Sequence, residues 1–172
     1  DAIRVDSTGE SVPALLAVQR AGGARATIEA DPSLLGSTRA WYLGLTALVR
    51  EIAAQAPGVP MLPSPAVVEL LCDKADTHRV LQRAGVPVPR SLDRVESWAD
   101  LVDRCGPRGG RVMVKPRHGS AAVGAMAVTL GSGRVEAWSA TEPEAVAPRR
   151  YRSSLKVRRF TGDEVAVLVD HL

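Results

Sequence analysis

The chain has 172 residues, 45% of them hydrophobic and 24% charged, with a formal net charge of +3. That balance fits one domain, or one and a fraction, with an ordinary core, and it excludes a disordered polymer. Aromatic residues are only 3% of the chain, so aliphatic side chains and alanine must fill the interior. A base-stacking surface for single-stranded nucleic acid is then hard to build.

Ala2, Ile3, Arg4 and Val5 read as an opening strand. Residues 13–20 read as a helix, with Ser11 as N-cap, Pro13 in the first turn and Gly22–Gly23 as the stop. The strongest helical pattern covers residues 39–54, where Trp41, Leu45, Leu48, Val49 and Ile52 share a face. Pro57–Gly58 ends it, and residues 59–62 are a short extended piece. Ser64–Pro65 opens a helix over 66–71. Asp73 caps the next, which has Asp76 three positions on, Val80, Leu81 and Ala84 as its apolar stripe, and Gly85 as its terminator. Val86-Pro87-Val88-Pro89 is extended, because proline drives its predecessor out of the helical region. A helix over 95–104 comes next, with Trp98, Leu101, Val102 and Cys105 on one side.

The period then changes. Residues 111–115 read as a strand, 116–125 as a glycine-rich loop and 126–130 as the returning strand. Gly131-Ser132-Gly133 turns the chain into an extended run over 134–138, and residues 139–150, polar and proline-containing, read as loop. Residues 155–160 are extended, and Thr161-Gly162-Asp163-Glu164 starts a last helix. Strands and helices alternate, so the class is α/β or α+β.

Cys72 and Cys105 form no CxxC pair, and no apolar run approaches membrane-spanning length. A reduced, cytoplasmic protein without a membrane partner is the simplest expectation. The first residue is Asp1, and the apolar period Val165, Leu168, Val169, Leu172 breaks off at the last residue. Both ends read as cut, which predicts a fragment of a longer protein. The three histidines and two cysteines lack metal-ligand spacing, and no nucleophile motif occurs.

Chemistry concentrates in residues 112–126, Val-Met-Val-Lys-Pro-Arg-His-Gly-Ser-Ala-Ala-Val-Gly-Ala-Met. A strand brings Lys115 to the mouth of a loop holding Gly119, Ser120 and Gly124. Glycines let backbone N–H groups surround an anion, and the lysine adds a full positive charge. The lysine precedes the glycines, so this is no Walker A loop. On the loop alone, a plain hairpin and a polyphosphate lid stand level. His118 is either a phosphate contact or a solvent-exposed loop histidine, and the second reading ranks ahead.

A second lysine shifts the balance. Cys72-Asp73-Lys74 begins a helix that leads to Ala84-Gly85-Val86-Pro87-Val88-Pro89. A D-K helix start, an A-G-V-P-x-P turn, then a strand ending in K-P before a G-S loop resembles the ATP-grasp superfamily across residues 64 to 130. Trp41-Tyr42-Leu43-Gly44, Asp6-Ser7-Thr8-Gly9-Glu10 and residues 153–160 are similar to a little-characterised bacterial branch of it. The resemblance implies that residues 1–62 end a Rossmann-like preceding domain, and that 63–172 are the smaller ATP-grasp subdomain with the truncated start of the next part. It implies ATP as cofactor, held by Lys74, Lys115, His118, Gly119, Ser120 and Gly124. The intact protein would use MgATP to activate a carboxylate as an acyl phosphate and couple it to an amine or thiol.

This sequence departs from the family in one respect. Members supply, further along, an acid for the ribose and a carboxylate–carboxylate–Asn set for magnesium, and no such set comes after Leu130 here. A chain of this kind is expected to hold nucleotide weakly and not to catalyse ligation. The competing expectation rests on Arg149, Arg150, Arg152, Lys156, Arg158 and Arg159, six cations within 149–159 without an acid. Such a strip suits nucleic acid or a phosphorylated partner, although a solvated face is the commoner use.

Overall fold

A computed structural model describes residues 2–5, 11–23, 38–119, 122–131, 133–143 and 151–171. It is a mixture of helix and sheet, in keeping with the expected class. The described residues form two compact units. One takes the chain up to Val88 together with 117–119, and the other takes 89–116 and the chain from 122 onward.

In the first unit, β1 (Ile3–Arg4) pairs in parallel with β2 (Met61–Leu62). Helices α1 (Val12–Ala21) and α2 (Thr38–Gln55) lie against each other, and Val18, Leu45, Val49 and Met61 form the core with Trp41, Ile52 and Val68 beside them. Two glycines permit the crossing. A Cβ on Gly44 would stand 1.8 Å from the Val18 carbonyl oxygen, and one on Gly22 1.7 Å from that of Ala40. Of the apolar face expected on α2, Leu48 is exposed.

Ser11 caps α1 through the Ala14 N–H, as its position predicts. Helices α3 (Pro65–Cys72) and α4 (Lys74–Arg83) meet at Asp73. Its N–H closes α3 on the Leu70 carbonyl at 3.2 Å, and its carboxylate opens α4 by accepting from the N–H groups of Ala75 and Asp76 at 3.0 and 3.1 Å. The expected stripe on α4 is not a core stripe, because Val80 and Leu81 are exposed and no α4 residue is buried.

The second unit is a four-stranded antiparallel sheet in the order β3 (Gly110–Val114), β4 (Met126–Gly131), β5 (Arg134–Pro143), β6 (Tyr151–Thr161). Helices α5 (Trp98–Cys105) and α6 (Asp163–His171) cover one face. Leu101, Val165, Leu168 and Val169 pack there on Met126, Val128, Leu130, Ala137 and Phe160. Strand alternation sends Met113 and Trp138 to the other face, which is open: they are 62% and 48% exposed.

Two expectations need correction. The helix predicted from residue 95 starts at Trp98, because Ser97 takes the N-cap position and accepts from the Asp100 N–H at 3.1 Å. The loop predicted over 139–150 is strand as far as Pro143. Ser139 and Thr141 looked like loop residues, yet both hydroxyls point into the interior. They bond each other at 2.7 Å, and Ser139 also donates to the Ala125 carbonyl at 2.9 Å. Satisfied in this way, a hydroxyl can occupy a buried strand position. Residues 144–150 lie outside the described residues.

Candidate functional site

The first unit gathers a compact polar cluster around the start of α4. Asp73 is 2% exposed and meets Arg117, 44 residues away in sequence. The Arg117 guanidinium donates through Nε at 2.9 and 2.8 Å and stands 2.7 Å away through a terminal nitrogen. This fork geometry is the strong form of a carboxylate–guanidinium pair. The Arg117 carbonyl accepts from the Lys74 N–H at 3.1 Å, so a first-turn helix amide without a partner in its own helix is satisfied from the distant segment. The Lys74 ammonium donates to the Gly119 carbonyl at 2.7 Å.

His118 lies between these anchors. Its side chain is 12% exposed, its ring stacks on Tyr42 at 4.2 Å between centroids, and Nε2 is 3.4 Å from Asp73. The solvent-exposed histidine ranked ahead on sequence is therefore corrected. Gly119 sits at φ +104°, where a side chain is strained, and a Cβ there would meet the Thr38 methyl at 3.4 Å.

Burial works against the charge on Asp73, but the Arg117 bonds, the α4 amide and nearby charge win and hold its pKa at about 2. Burial lowers the pKa of His118, with Asp73 opposing, so the ring is neutral at pH 7. Burial, reinforced by the Asp73 charge, raises the Tyr42 phenol.

Both acid-titrating groups favour folding more strongly at neutral pH. A depressed histidine pKa loses stability as pH falls below the ordinary imidazole range. A depressed carboxylate pKa does so below about 4, with the loss complete near pH 2. For Asp73 the loss is about 2 kcal/mol. Urea unfolding at pH 5 and pH 2.5 should show this fall, and Asp73→Asn should flatten its lower part. An equally steep fall in the variant would assign the acid sensitivity elsewhere.

The predicted site residues divide between the units. Lys74, His118 and Gly119 stand together in the first, and Ser120 lies outside the described residues. Lys115 and Gly124 belong to the second. Lys115 is exposed just beyond β3. Gly124, at φ +70°, takes the third place of a turn closed by the Ala125 N–H on the Ala122 carbonyl at 2.9 Å. Sequence reading missed Arg117 and Tyr42 as members of the cluster, and took Asp73 for a cap alone. The available signals were the nearness of Arg117 to Lys115 and the place of Tyr42 in Trp41-Tyr42-Leu43-Gly44.

The described acids after Leu130 do not fit a magnesium site, and Glu144 lies outside the described residues. Glu136 lies between Arg134 and Arg159 at 2.8 and 2.9 Å, and Glu142 is 3.2 Å from Arg158. Glu164 accepts from the Thr161 N–H, Asp170 accepts from the Trp98 N–H, and Asp163 sits in the first turn of α6. Among the described residues, no group of three or more His, Cys, Asp or Glu side chains could hold a metal ion. The same pairs change the reading of the basic strip. Arg158 and Arg159 lie on β6 against acids of β5, while Arg149 and Arg150 lie outside the described residues.

No helix among the described residues is long and apolar enough to cross a membrane. No family model matches the chain, and no solved structure does. The chain is 34% identical over 103 residues to a cyanophycin synthetase of Synechocystis, 59% of this chain and 11% of that protein. It is 31% identical over 105 residues to the cyanophycin synthetase of Trichormus variabilis. It is also 33% identical over 81 residues to the probable protein phosphatase 2C 49 of rice, 47% of this chain and 20% of that protein. The chain thus spans between a tenth and a fifth of the length of these relatives, and its likeness to the synthetases reaches over more of it than its likeness to the phosphatase.

Proposed function

We propose that this chain is the ATP-holding part of an ATP-grasp ligase. In the intact protein, MgATP would activate a carboxylate and the acyl phosphate would be coupled to an amine or thiol. The division expected from the resemblance, 1–62 and 63–172, belongs to the same reading. What supports it above all is the meeting of the two motifs: the Asp73–Lys74 helix start binds the segment just after Lys115–Pro116 through the Lys74 N–H, the Lys74 ammonium and the Asp73 carboxylate. Likeness to proteins named synthetases over 59% of the chain points the same way, and outweighs the shorter phosphatase likeness because the lysine–glycine pattern agrees with it.

In this reading Lys74 and Lys115 face the phosphates, where their charges oppose the negative charge that builds during phosphoryl transfer. Gly119, Ser120 and Gly124 supply backbone N–H groups, and His118, neutral, offers a hydrogen bond. The open sheet face beside β3 holds a shallow hollow of ≈ 400 Å³ lined by Met113, Ala127 and Trp138 among others, a surface on which a purine ring could stack. The carboxylates that would hold magnesium are expected from outside this chain, and no catalytic step is derived for it.

Titration with ATP, with and without magnesium, tests the reading. Saturable binding that changes little when magnesium is left out is the expected result, and no binding at millimolar ATP refutes it. Duplex DNA at low and high salt separates the rival. Steeply salt-dependent retention without ATP binding would transfer the function to the basic strip.

A further inference from the structure

Three bonds tie the Arg117–Gly119 segment to the start of α4. The Lys74 ammonium is on the Gly119 carbonyl, the Lys74 N–H is on the Arg117 carbonyl and the Arg117 guanidinium is on Asp73. Asp73 is buried and fixed by its capping bonds to Ala75 and Asp76, so it is a rigid anchor, whereas the Arg117 side chain is nearly half exposed. A neutral carbonyl is a weaker acceptor for an ammonium than a phosphate oxygen. An arriving polyphosphate therefore competes directly for one of the three bonds.

We propose that Asp73, Lys74 and Arg117 form a latch that parks the Arg117–Gly119 segment on the start of α4, and that a triphosphate opens it by taking over the Lys74 ammonium. The proposal rests on the nucleotide reading above. Its consequence is that part of the binding free energy goes into opening, so the apparent affinity is lower than that of the open form by the fraction of molecules already open. Other titratable groups stand beside the latch. Asp76 is 3.7 Å from the Arg117 guanidinium and is itself paired with Arg79, and His118 is neutral at pH 7.

The Lys74 amide is the reporter, because its partner lies on the parked segment and not in its own helix. Its hydrogen exchange should be measured in the whole chain, with and without ATP, for the parent, Asp73→Asn and Arg117→Gln. Asparagine caps a helix about as well as aspartate, so the first variant keeps α4 and removes only the charge that holds Arg117. The amide should be protected in the free parent, lose protection on adding ATP, and exchange faster in both variants. Both variants should also bind ATP more tightly, by roughly tenfold if about a tenth of the parent molecules are open.

A purely structural ion pair predicts the reverse, weaker ATP binding in both variants, and that result would overturn the latch. So would an unprotected Lys74 amide in the free parent, or protection that saturating ATP leaves unchanged. Absence of ATP binding in all three proteins would instead refute the nucleotide reading, and the release step with it. If Arg117→Gln fails to fold, Asp73→Asn decides alone.

Discussion

Gly44→Ala is expected to destabilise the first unit by about 3 kcal/mol or more, the upper end for overpacking in a core. The new methyl would stand 1.8 Å from the Val18 carbonyl oxygen and 2.7 Å from its carbon, and both are backbone atoms inside α1. No rotamer change relieves such a contact. The helices must move apart, which loosens Val18 against Leu45 and Val49, the centre of that unit's core. Gly58→Ala is the control. It sits at φ +84° with nothing within 4 Å of an added methyl, so only the left-handed backbone is strained, at about 1–2 kcal/mol. Urea unfolding followed by the fluorescence of Trp41, which packs beside that core, reads both. A Gly44→Ala loss no larger than that of Gly58→Ala would show that the helices give way easily.

Gly44 also shows where sequence reading stops. Inside a strongly periodic helix it reads as a mild helix weakener. Its real part is to admit another helix, and only the tertiary fold shows that. Caps were legible for the opposite reason. Ser11 and Asp73 bond amides two or three residues away, so composition and spacing within a few positions carry the whole signal, although the same signal at Ser97 was passed over for a start at residue 95. The end of β5 was not legible, since Ser139 and Thr141 are polar and only the fold shows that they satisfy each other.

The candidate site behaves in the same way. The Lys74 and Lys115 motifs are local patterns, and so are the loop glycines Gly119 and Gly124. The link between Asp73 and Arg117 spans 44 residues, and the stacking of Tyr42 on His118 joins α2 to a loop beyond β3. Local patterns contain nothing about such pairs. The basic strip shows a related limit: it was counted along the sequence, while Glu136 and Glu142 on β5 stand against Arg159 and Arg158. A charge run on a strand has to be weighed against its neighbouring strand before a partner is inferred from it.

Lys115→Ala should abolish measurable ATP binding while leaving the fold intact. The residue is exposed, just outside β3, and such surface substitutions usually change stability by no more than about 0.5 kcal/mol. Against a triphosphate the same ammonium carries much more weight. Removing one partner of a desolvated charge pair costs about 2 kcal/mol or more, and each 1.4 kcal/mol is tenfold in affinity. Of the two motif lysines, only Lys74 would then remain to oppose the phosphate charge. Lys115→Arg, which retains the charge, should keep most of the binding. Lys74→Ala should weaken binding as well, but it also removes the bond to the Gly119 carbonyl, so its loss is a mixture of lost attraction and a freed segment. Calorimetric titration of the three variants, with urea unfolding as a check on folding, gives the decision. Parent-like ATP affinity in a folded Lys115→Ala protein would remove this lysine from the phosphates. With it would go the idea that both motif lysines serve one nucleotide.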